Sequence, residues 1–318
     1  MDAEMMRSAL QVAADVRGAV GPNPRVGCVI VRDGEVVGAG AHLGAGSPHA
    51  EALALAAAGE RARDTTAYVT LEPCNHHGRT PPCAQALIAA GVARVVYAVA
   101  DPTVASGGAD TLREAGVEVE FVDLPEAREF LAPWLFAVTH GRPFVTYKVA
   151  SSLDGKVAAA DGTSQWITGE AAREWAHLIL RAQVDAIAVG SGTLRADVPE
   201  LTVRGVDVVK QPARYVLGNE VAQGFTTIPG HDPEASLRQM FDDGVRHVLL
   251  EGGPTIGAAF LTAGVVDEVV WFIAPMLLGA GASAVADIGV STLAQAPRWT
   301  IVQSQRVGSD VVIRMRRT

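Results

Sequence analysis

Three residues with metal-binding side chains, His49, Cys74 and Cys83, constrain the fold of this chain more than any other feature. Each directly follows a proline, and residues 50–58 and 84–90, after the first and the last of them, are rich in alanine and leucine. Such segments have a high helix propensity, so we expect His49 and Cys83 near the beginnings of two helices. Helix N-termini that converge on one ion favour thiolate over thiol. The chain is therefore expected to fold so that these separated segments meet.

One imidazole and two thiolates form a ligand set that suits zinc and leaves a fourth position for water. Glu51, two residues after His49, has a side chain able to move a proton between that water and a leaving group. Zinc deaminases of nucleobases combine such a metal with a glutamate that is not a ligand. Their general pattern joins His-x-Glu to Pro-Cys-x-x-Cys, whereas here Cys83 follows Cys74 by nine positions. Residues 75–82 therefore form an insertion between two ligands.

The overall charge and the cysteine count limit the classes of partner and location. With 26 basic residues against 35 acidic ones the formal net charge is −9, which argues against nucleic acid as a partner. Three cysteines do not form the pattern of a secreted disulfide framework, and Cys28 lies in an apolar predicted strand, where a core position is expected. The acidic N-terminus lacks a signal segment, and no apolar run is long enough to cross a membrane. We therefore expect a cytoplasmic protein without a membrane partner.

The pattern of helices and strands restarts once along the chain. An opening amphipathic helix, a hairpin at residues 26–40 and further alternating helices and strands predict a layered α/β unit. A strand at residues 144–150 begins a second alternating series, which includes a helix at residues 171–181 and ends in a hairpin. A length of 318 residues also suits two domains. We therefore predict domains at residues 1–141 and 142–318.

Two stretches of the first predicted domain resemble one enzyme family. Residues 49–51, His-Ala-Glu, together with residues 72–83, Glu-Pro-Cys-Asn-His-His-Gly-Arg-Thr-Pro-Pro-Cys, resemble the bifunctional riboflavin-biosynthesis deaminase/reductase family, and residues 23–27, Asn-Pro-Arg-Val-Gly, also match it. The resemblance implies a cytidine-deaminase-like α/β/α sandwich at the N-terminus and a dihydrofolate-reductase-like α/β domain at the C-terminus. It further implies zinc-dependent deamination of 2,5-diamino-6-ribosylamino-4(3H)-pyrimidinone 5′-phosphate. NADPH-dependent reduction of the ribose of 5-amino-6-(5-phosphoribosylamino)uracil to ribitol would follow.

The same resemblance assigns roles to residues of the deaminase domain. The zinc ligands would be His49, Cys74 and Cys83, and the proton shuttle would be Glu51. The phosphorylated pyrimidine, a small molecule, would be contacted by Asn23, His42, His76 and Arg79. The insertion between the cysteines would then be a substrate-binding loop. A homo-oligomer is also expected.

The second predicted domain matches the family at residues 148–156, 164–168, 197–204 and 251–255. By that resemblance, the contacts to NADPH would be Ala150, Trp166, Thr193, Asp197, Gly253, Pro254, Thr255, Ile256 and Gly257. The contacts to the ribosylamino substrate would be Ser164, Arg181, Leu201, Arg204 and Glu251. Glycines after a strand let the backbone approach a pyrophosphate, and arginines offer paired donors to a phosphate. No Gly-x-Gly-x-x-Gly opens a strand-helix unit, so the cofactor would not be held as in a Rossmann domain.

Two other interpretations are compatible with the sequence. The family usually has an acidic residue and a small hydroxyl residue where this chain has Gly218 and Asn219, so one alternative is a deaminase with an impaired reductase domain. The other is a non-catalytic metalloprotein in which zinc only cross-links the loop between the cysteines. Such a structural ion would have four protein ligands, and His76 and His77 are the residues able to supply the fourth.

Overall fold

The chain forms two compact units in the computed structural model, residues 1–140 and residues 141–318. The structure describes residues 1–76, 82–197 and 199–317. The division falls one residue before the boundary expected from the sequence. Within the described residues, no helix has the length and apolar character needed to span a bilayer.

The first unit is a five-stranded sheet with helices on both faces. Its strands are β1 (Gly27–Arg32), β2 (Glu35–Ala41), β3 (Thr66–Val69), β4 (Arg94–Tyr97) and β5 (Glu118–Phe121), in the spatial order β2-β1-β3-β4-β5. Its helices are α1 (Asp2–Ala14), α2 (Ala50–Ala58), α3 (Cys83–Ala89), α4 (Gly108–Glu114) and α5 (Pro125–His140). β1 pairs antiparallel with β2 and β3, whereas β3, β4 and β5 are parallel. The hairpin predicted near the N-terminus is therefore present.

Two close approaches of backbone show that α1 and α2 cover opposite faces of this sheet. A Cβ on Gly27 would lie 2.1 Å from the backbone oxygen of Ala9 in α1, and a Cβ on Gly40 would lie 2.5 Å from that of Ala50 in α2. Gly40 pairs with Cys28, the neighbour of Gly27 on β1, and successive strand residues point to opposite faces. The unit is therefore the predicted α/β/α sandwich, with α2 packed closely on the β1–β2 hairpin.

The second unit is built on an eight-stranded, mostly parallel sheet. Its strands are β6 (Phe144–Ser152), β7 (Ala186–Gly190), β8 (Ala213–Leu217), β9 (Thr226–Ile228), β10 (His247–Leu250), β11 (Glu268–Ala274), β12 (Trp299–Val307) and β13 (Asp310–Arg317), in the order β12-β13-β11-β6-β10-β7-β8-β9. Its helices are α6 (Glu170–Trp175), α7 (Ser191–Asp197), α8 (Pro233–Asp242) and α9 (Pro254–Thr262). Among these described strands, the antiparallel pairings are those of β13 with β11 and β12. The predicted α/β class is confirmed for this half as well.

Part of the second unit differs from the sequence prediction. The helix predicted at residues 171–181 is divided into three segments. The α-helix α6 ends at Trp175, and it is followed by a π-helical turn, Ala176–Leu180, and a 3₁₀ turn, Arg181–Gln183. The sequence pattern does not indicate α7 or β9. Each of these elements has one buried side chain, Leu194 in α7 and Ile228 in β9. A single apolar residue cannot reveal the hydrophobic spacing from which a helix or a strand is predicted.

We expect Gly40→Ala to destabilise the first unit by about 1–3 kcal/mol, because the added methyl group overlaps the backbone of α2. Ala39 offers a matched control, since Ala39→Val adds bulk at an exposed position of the same strand. Calorimetric unfolding of both variants measures the difference. A Gly40→Ala transition as high as that of Ala39→Val would contradict the close packing.

Candidate active sites

The three predicted metal ligands of the first unit lie together. His49 caps the N-terminus of α2, Cys83 is the first residue of α3, and Cys74 lies in the loop after β3. Nδ1 of His49 is 3.5 Å from Sγ of Cys74 and 3.3 Å from Sγ of Cys83, and the three ligand atoms lie within 4.8 Å of one another. Tetrahedral zinc places its sulfur and nitrogen ligands about 3.6 Å apart. The side chains therefore fit a zinc ion as they stand.

The number of protein ligands in this group is that of a catalytic zinc site. Among the residues that the structure describes, no fourth histidine, cysteine or carboxylate joins the group, and His76 is exposed outside it. His77 and Arg79 lie outside the described residues. Three protein ligands leave one position for water or substrate, whereas structural zinc uses four.

The surroundings of Cys74 favour its thiolate form. The side chain and the backbone N–H of Cys83 and the imidazole of His49 all donate to its sulfur, with the Cys83 nitrogen at 3.4 Å. Together they lower the pKa of the Cys74 thiol, although burial acts in the opposite direction. A thiolate is the form that binds metal, so these neighbours favour the metal-binding form of Cys74.

Glu51, in the first turn of α2, is the buried acid of this site. Its side chain is 4% exposed and lies against the thiol of Cys83. Burial raises the pKa of Glu51 to about 7. A carboxyl group that titrates near neutral pH can take up a proton and release it again within one turnover. Cys28, by contrast, is fully buried in β1 among apolar side chains, as expected for a core residue.

His42 connects the predicted substrate residue Asn23 to the peptide before His49. Its Nδ1 is 3.0 Å from the carbonyl oxygen of Pro48, which can only accept, so this nitrogen carries the hydrogen. Its Nε2 then accepts from the side-chain amide of Asn23, 2.9 Å away. Burial lowers the pKa of His42, in keeping with a neutral ring. Both ring nitrogens of His42 are thus engaged within the protein, and its contact with Asn23 fixes the orientation of that amide.

Glu72, which the sequence analysis did not single out, holds the loop that carries Cys74. Its carboxylate accepts hydrogen bonds from the backbone nitrogens of Gly107 at 3.0 Å, Ala109 at 3.3 Å and Asp101 at 3.4 Å. The loop before α4 is thereby attached to the end of the segment that leads into the metal site. The sequence feature that could have identified Glu72 is its position as an acidic residue directly before the Pro-Cys pair, just after an apolar strand.

A partly buried ion pair lies within the predicted reductase site. The guanidinium of Arg181 donates from Nε and Nη2 to the two carboxylate oxygens of Glu251, at 2.6 and 2.8 Å, and from Nη1 to the carbonyl of Thr202 at 3.1 Å. Burial disfavours the charged form of Glu251, but the facing guanidinium outweighs it, and the pKa of Glu251 falls to about 2. This carboxylate is therefore ionised across the physiological range.

Lys148 is a second cation near Glu251, and the sequence analysis did not assign it to the site. It lies in β6, and its Nζ is 5.6 Å from the ring centre of Phe272. Burial lowers the pKa of Lys148, and the negative charge of Glu251 opposes that shift. A lone lysine within a mostly buried strand was the signal that could have identified it.

Some of the predicted NADPH contacts lie at the start of α9. Gly253 caps this helix, and its backbone nitrogen donates to Oγ1 of Thr193 at 3.2 Å. No described side chain caps the helix, so its first N–H groups can receive a phosphate. Trp166 is 66% exposed, and the guanidinium of Arg173 stacks on its ring at 4.5 Å. An uncapped helix start and an exposed aromatic ring are both suited to a dinucleotide.

Gly218, where the chain departs from the family pattern, is required by its own surroundings. Its φ angle is 126°, and a Cβ there would lie 2.3 Å from Oγ of Ser191. The glycine therefore lets α7 approach the end of β8. This departure leaves the Arg181–Glu251 pair and the start of α9 in place.

The remaining predicted residues are spread over several segments. Ser164 is exposed in the loop before α6, Asp197 ends α7, and Ala150 is partly buried in β6. Leu201 is buried with a φ angle of 48°, and Arg204, shortly after it, is exposed. Among the described residues, no hydrogen bond joins Ser164 or Asp197 to the other predicted site residues.

Comparisons with known proteins cover nearly the whole chain. The model of the cytidine and deoxycytidylate deaminase zinc-binding region matches residues 1–99, and that of the RibD C-terminal domain matches residues 143–313. The riboflavin biosynthesis protein RibD of Mycobacterium tuberculosis is 45% identical over 98% of this chain and 96% of its own length, and that of Escherichia coli is 40% identical over 99% of both. The solved structure of Acinetobacter baumannii RibD aligns with a TM-score of 0.90 at 37% identity, covering 100% of this chain and 99% of that one.

The chain belongs to the RibD family. It is a bifunctional deaminase and reductase of riboflavin biosynthesis, with a zinc-binding deaminase region and a reductase domain. The family and the fold class inferred from the sequence motifs are thereby confirmed.

We expect Glu72→Ala to weaken zinc binding by this RibD family member about tenfold, because three backbone N–H groups that position the Cys74 loop lose their acceptor. Zinc retained against a chelator in solution measures the effect. Glu60→Ala, at an exposed glutamate of the same unit, is the control and should retain zinc as the parent does. Equal zinc retention by both variants would count against the bracing role of Glu72.

We expect Arg181→Met to destabilise the protein by about 3–5 kcal/mol at neutral pH, because it leaves the Glu251 carboxylate buried with less compensation. In the parent, Glu251 has a lowered pKa, so the pair stabilises the fold above the ordinary carboxyl range and this stabilisation is lost as the pH falls toward 2. In the variant, burial raises the pKa instead, so the defect should shrink as the pH is lowered.

Denaturant titrations at several pH values measure this difference. Arg195→Met, which breaks the exposed pair with Glu220, is the control and should change stability by less than about 1 kcal/mol. A defect of Arg181→Met that is the same at every pH would show that Glu251 is not its source.

Proposed function

We propose that residues 1–141 form the deaminase domain and act on 2,5-diamino-6-ribosylamino-4(3H)-pyrimidinone 5′-phosphate. The convergence of His49, Cys74 and Cys83 beside the buried Glu51 is the observation that supports this most directly. A zinc ion held by the three ligands would make water acidic enough to attack at neutral pH. Glu51 takes a proton from the attacking water and delivers a proton to the departing amine, a task that suits a carboxyl group with a pKa near 7.

The other residues of this domain bind the substrate. Asn23, oriented by His42, offers its amide to the edge of the pyrimidine ring. His76 and Arg79 belong to the insertion between the cysteines and contact the phosphate, and Arg79 lies outside the described residues. A guanidinium and an imidazole both donate hydrogen bonds to phosphate oxygens, which is why we assign them this task.

Residues 142–318 form the reductase domain in this proposal and use NADPH to reduce the ribose of 5-amino-6-(5-phosphoribosylamino)uracil to ribitol. The uncapped start of α9 beside Thr193 supports a cofactor phosphate at residues 253–257. Trp166, Ala150 and Asp197 complete the cofactor site. The exposed indole of Trp166, held by Arg173, offers a flat apolar surface to the cofactor.

The reductase substrate lies between an anion and a cation of the chain. Glu251, kept ionised by Arg181, accepts hydrogen bonds from the sugar hydroxyl groups. Since three N–H groups of Arg181 are already used by Glu251 and Thr202, the 5′-phosphate pairs with the exposed guanidinium of Arg204. Ser164 and Leu201 border the same substrate.

A homo-oligomer located in the cytoplasm completes the proposal. The described cysteines form no disulfide, which suits the cytoplasm because thiols are kept reduced there. Light scattering of the purified protein tests the assembly, and a monomeric mass at all concentrations would reject it.

We expect Cys74→Ser to lose bound zinc and ammonia release together, whereas Glu51→Gln should retain zinc and release ammonia about a hundredfold or more slowly. Cys28→Ala, a change at the cysteine outside the site, is the control and should keep both properties. Metal analysis and an ammonia assay provide the two measurements. Undiminished ammonia release by metal-free enzyme would refute the proposed deamination.

Both site variants should oxidise NADPH at the parental rate when supplied with the deaminated intermediate, because their changes lie in the first unit. This second assay distinguishes the alternatives drawn from the sequence. Ammonia release without NADPH oxidation in the parent would identify a deaminase with an impaired reductase. Stoichiometric zinc without ammonia release would identify a structural metal.

A further inference from the structure

His177 lies in the π-helical turn Ala176–Leu180 and faces Arg204. Its Nε2 is 3.3 Å from Nη2 of Arg204, and its Nδ1 is 3.3 Å from the backbone nitrogen of the same residue. π-helical turns are rare and are frequently found at functional sites. Arg181 begins the next turn and bonds to Thr202, so two side chains of one helical segment reach the segment that contains Arg204.

The imidazole of His177 is neutral in these surroundings. Burial and the nearby charges of Arg181 and Arg204 lower the pKa of His177 to about 4. A neutral ring has one donor and one acceptor nitrogen, so it accepts only one of the two possible hydrogen bonds from Arg204 at a time. The carbonyl of Thr202 acts on the pKa of His177 in the opposite direction, but it does not outweigh burial and the two arginines. The charged guanidinium is a stronger donor than the backbone amide, which favours acceptance at Nε2.

Among the described residues, little else holds the guanidinium of Arg204. Its side chain is 63% exposed, and the carboxylate of Glu200, itself 70% exposed, is 3.8 Å away. Exposed pairs of this kind contribute little. The backbone is held independently, because the side chain of Gln211 bonds to both the N–H and the carbonyl of Val203, at 2.8 and 3.2 Å. Loss of His177 should therefore affect the guanidinium more than the chain that carries it.

We propose that His177 is a positioning residue of the reductase site, whose Nε2 holds the guanidinium of Arg204 in the direction of the substrate's 5′-phosphate. A neutral acceptor fixes the guanidinium without neutralising it, so the full charge remains for the phosphate. Fixing the side chain in advance also reduces the rotamer freedom that it loses when the phosphate binds. The inference rests on the phosphate contact of Arg204 proposed above.

The KM for 5-amino-6-(5-phosphoribosylamino)uracil, followed through NADPH oxidation by the full-length enzyme, tests this role. We expect His177→Ala to raise that KM about three- to tenfold and to leave kcat and the KM for NADPH unchanged. Arg204→Ala should raise it about 10- to 100-fold, and adding His177→Ala to Arg204→Ala should change nothing further. With the dephosphorylated substrate, all three variants should match the parent, which a general structural defect would not allow.

Two conservative replacements separate the two ring nitrogens. The amide oxygen in His177→Gln can occupy the position of Nε2 and should restore the parental KM, whereas that in His177→Asn reaches only the position of Nδ1 and should not. Rescue by asparagine alone would overturn the proposal, because it would place the role at the backbone of Arg204. Leu178→Ala, at an exposed position of the same turn, is the matched control, and a rise in KM equal to that of His177→Ala would also overturn it.

The outcomes distinguish this inference from the function on which it rests. An Arg204→Ala variant with the parental KM would refute the phosphate contact itself. A large effect of Arg204→Ala without any effect of His177→Ala would refute the positioning role alone. A further rise in KM when His177→Ala is added to Arg204→Ala would refute it too, since His177 would then act without Arg204.

Discussion

The deaminase site depends on how closely α2 packs against the β1–β2 hairpin. Glycines on β2 and small residues on α2 bring helix and sheet so near that a Cβ on Gly40 would meet the helix backbone. The predicted metal ligand His49 is the N-cap residue of that helix and Glu51 lies in its first turn, so one packing contact positions both. Cys83 approaches from the start of α3, and the loop carrying Cys74 is braced through Glu72. In this unit, the packing of the core therefore determines the positions of the side chains in the predicted site.

The two units shift the pKa of an enclosed glutamate in opposite directions. The side chains that act on Glu51 are those of His49, Cys74 and Cys83 rather than an arginine or lysine, and burial raises its pKa to about 7, so it can exchange protons. Glu251 is also largely enclosed, with 11% of its side chain exposed, but Arg181 and Lys148 face it, and its pKa falls to about 2. It remains an anion that can bind hydroxyl groups and does not exchange protons near neutral pH. In the proposed function, the same side chain would carry protons in one unit and act as a fixed charge in the other, and the neighbouring cations make the difference.

Local patterns were sufficient to predict the two α/β units, the N-terminal hairpin and the convergence of the zinc ligands, because each depends on residues close in sequence or on a ligand chemistry that few residue types supply. The residues missed are those whose roles arise from distant contacts: Glu72 with the loop before α4, Lys148 with Glu251, and His177 with Arg204. The division of the helix before Arg181 was missed as well, since a single π-helical turn shifts the apolar positions by only about one residue, which a segment this short does not reveal. Such contacts leave no periodic signal in one sequence.

The excess of acidic residues in the chain explains why a neutral partner for Arg204, the imidazole of His177, matters. Arg94, Arg142 and Arg181 each form an ion pair with a carboxylate of the chain within 3 Å, and this carboxylate largely neutralises the charge of the arginine. A net charge of −9 makes such pairing the expected condition of an arginine here. An arginine that must attract a phosphorylated sugar has to be held in place by a group that leaves its charge intact. A neutral imidazole does this, whereas a carboxylate in the same position would compete with the phosphate for the same N–H groups.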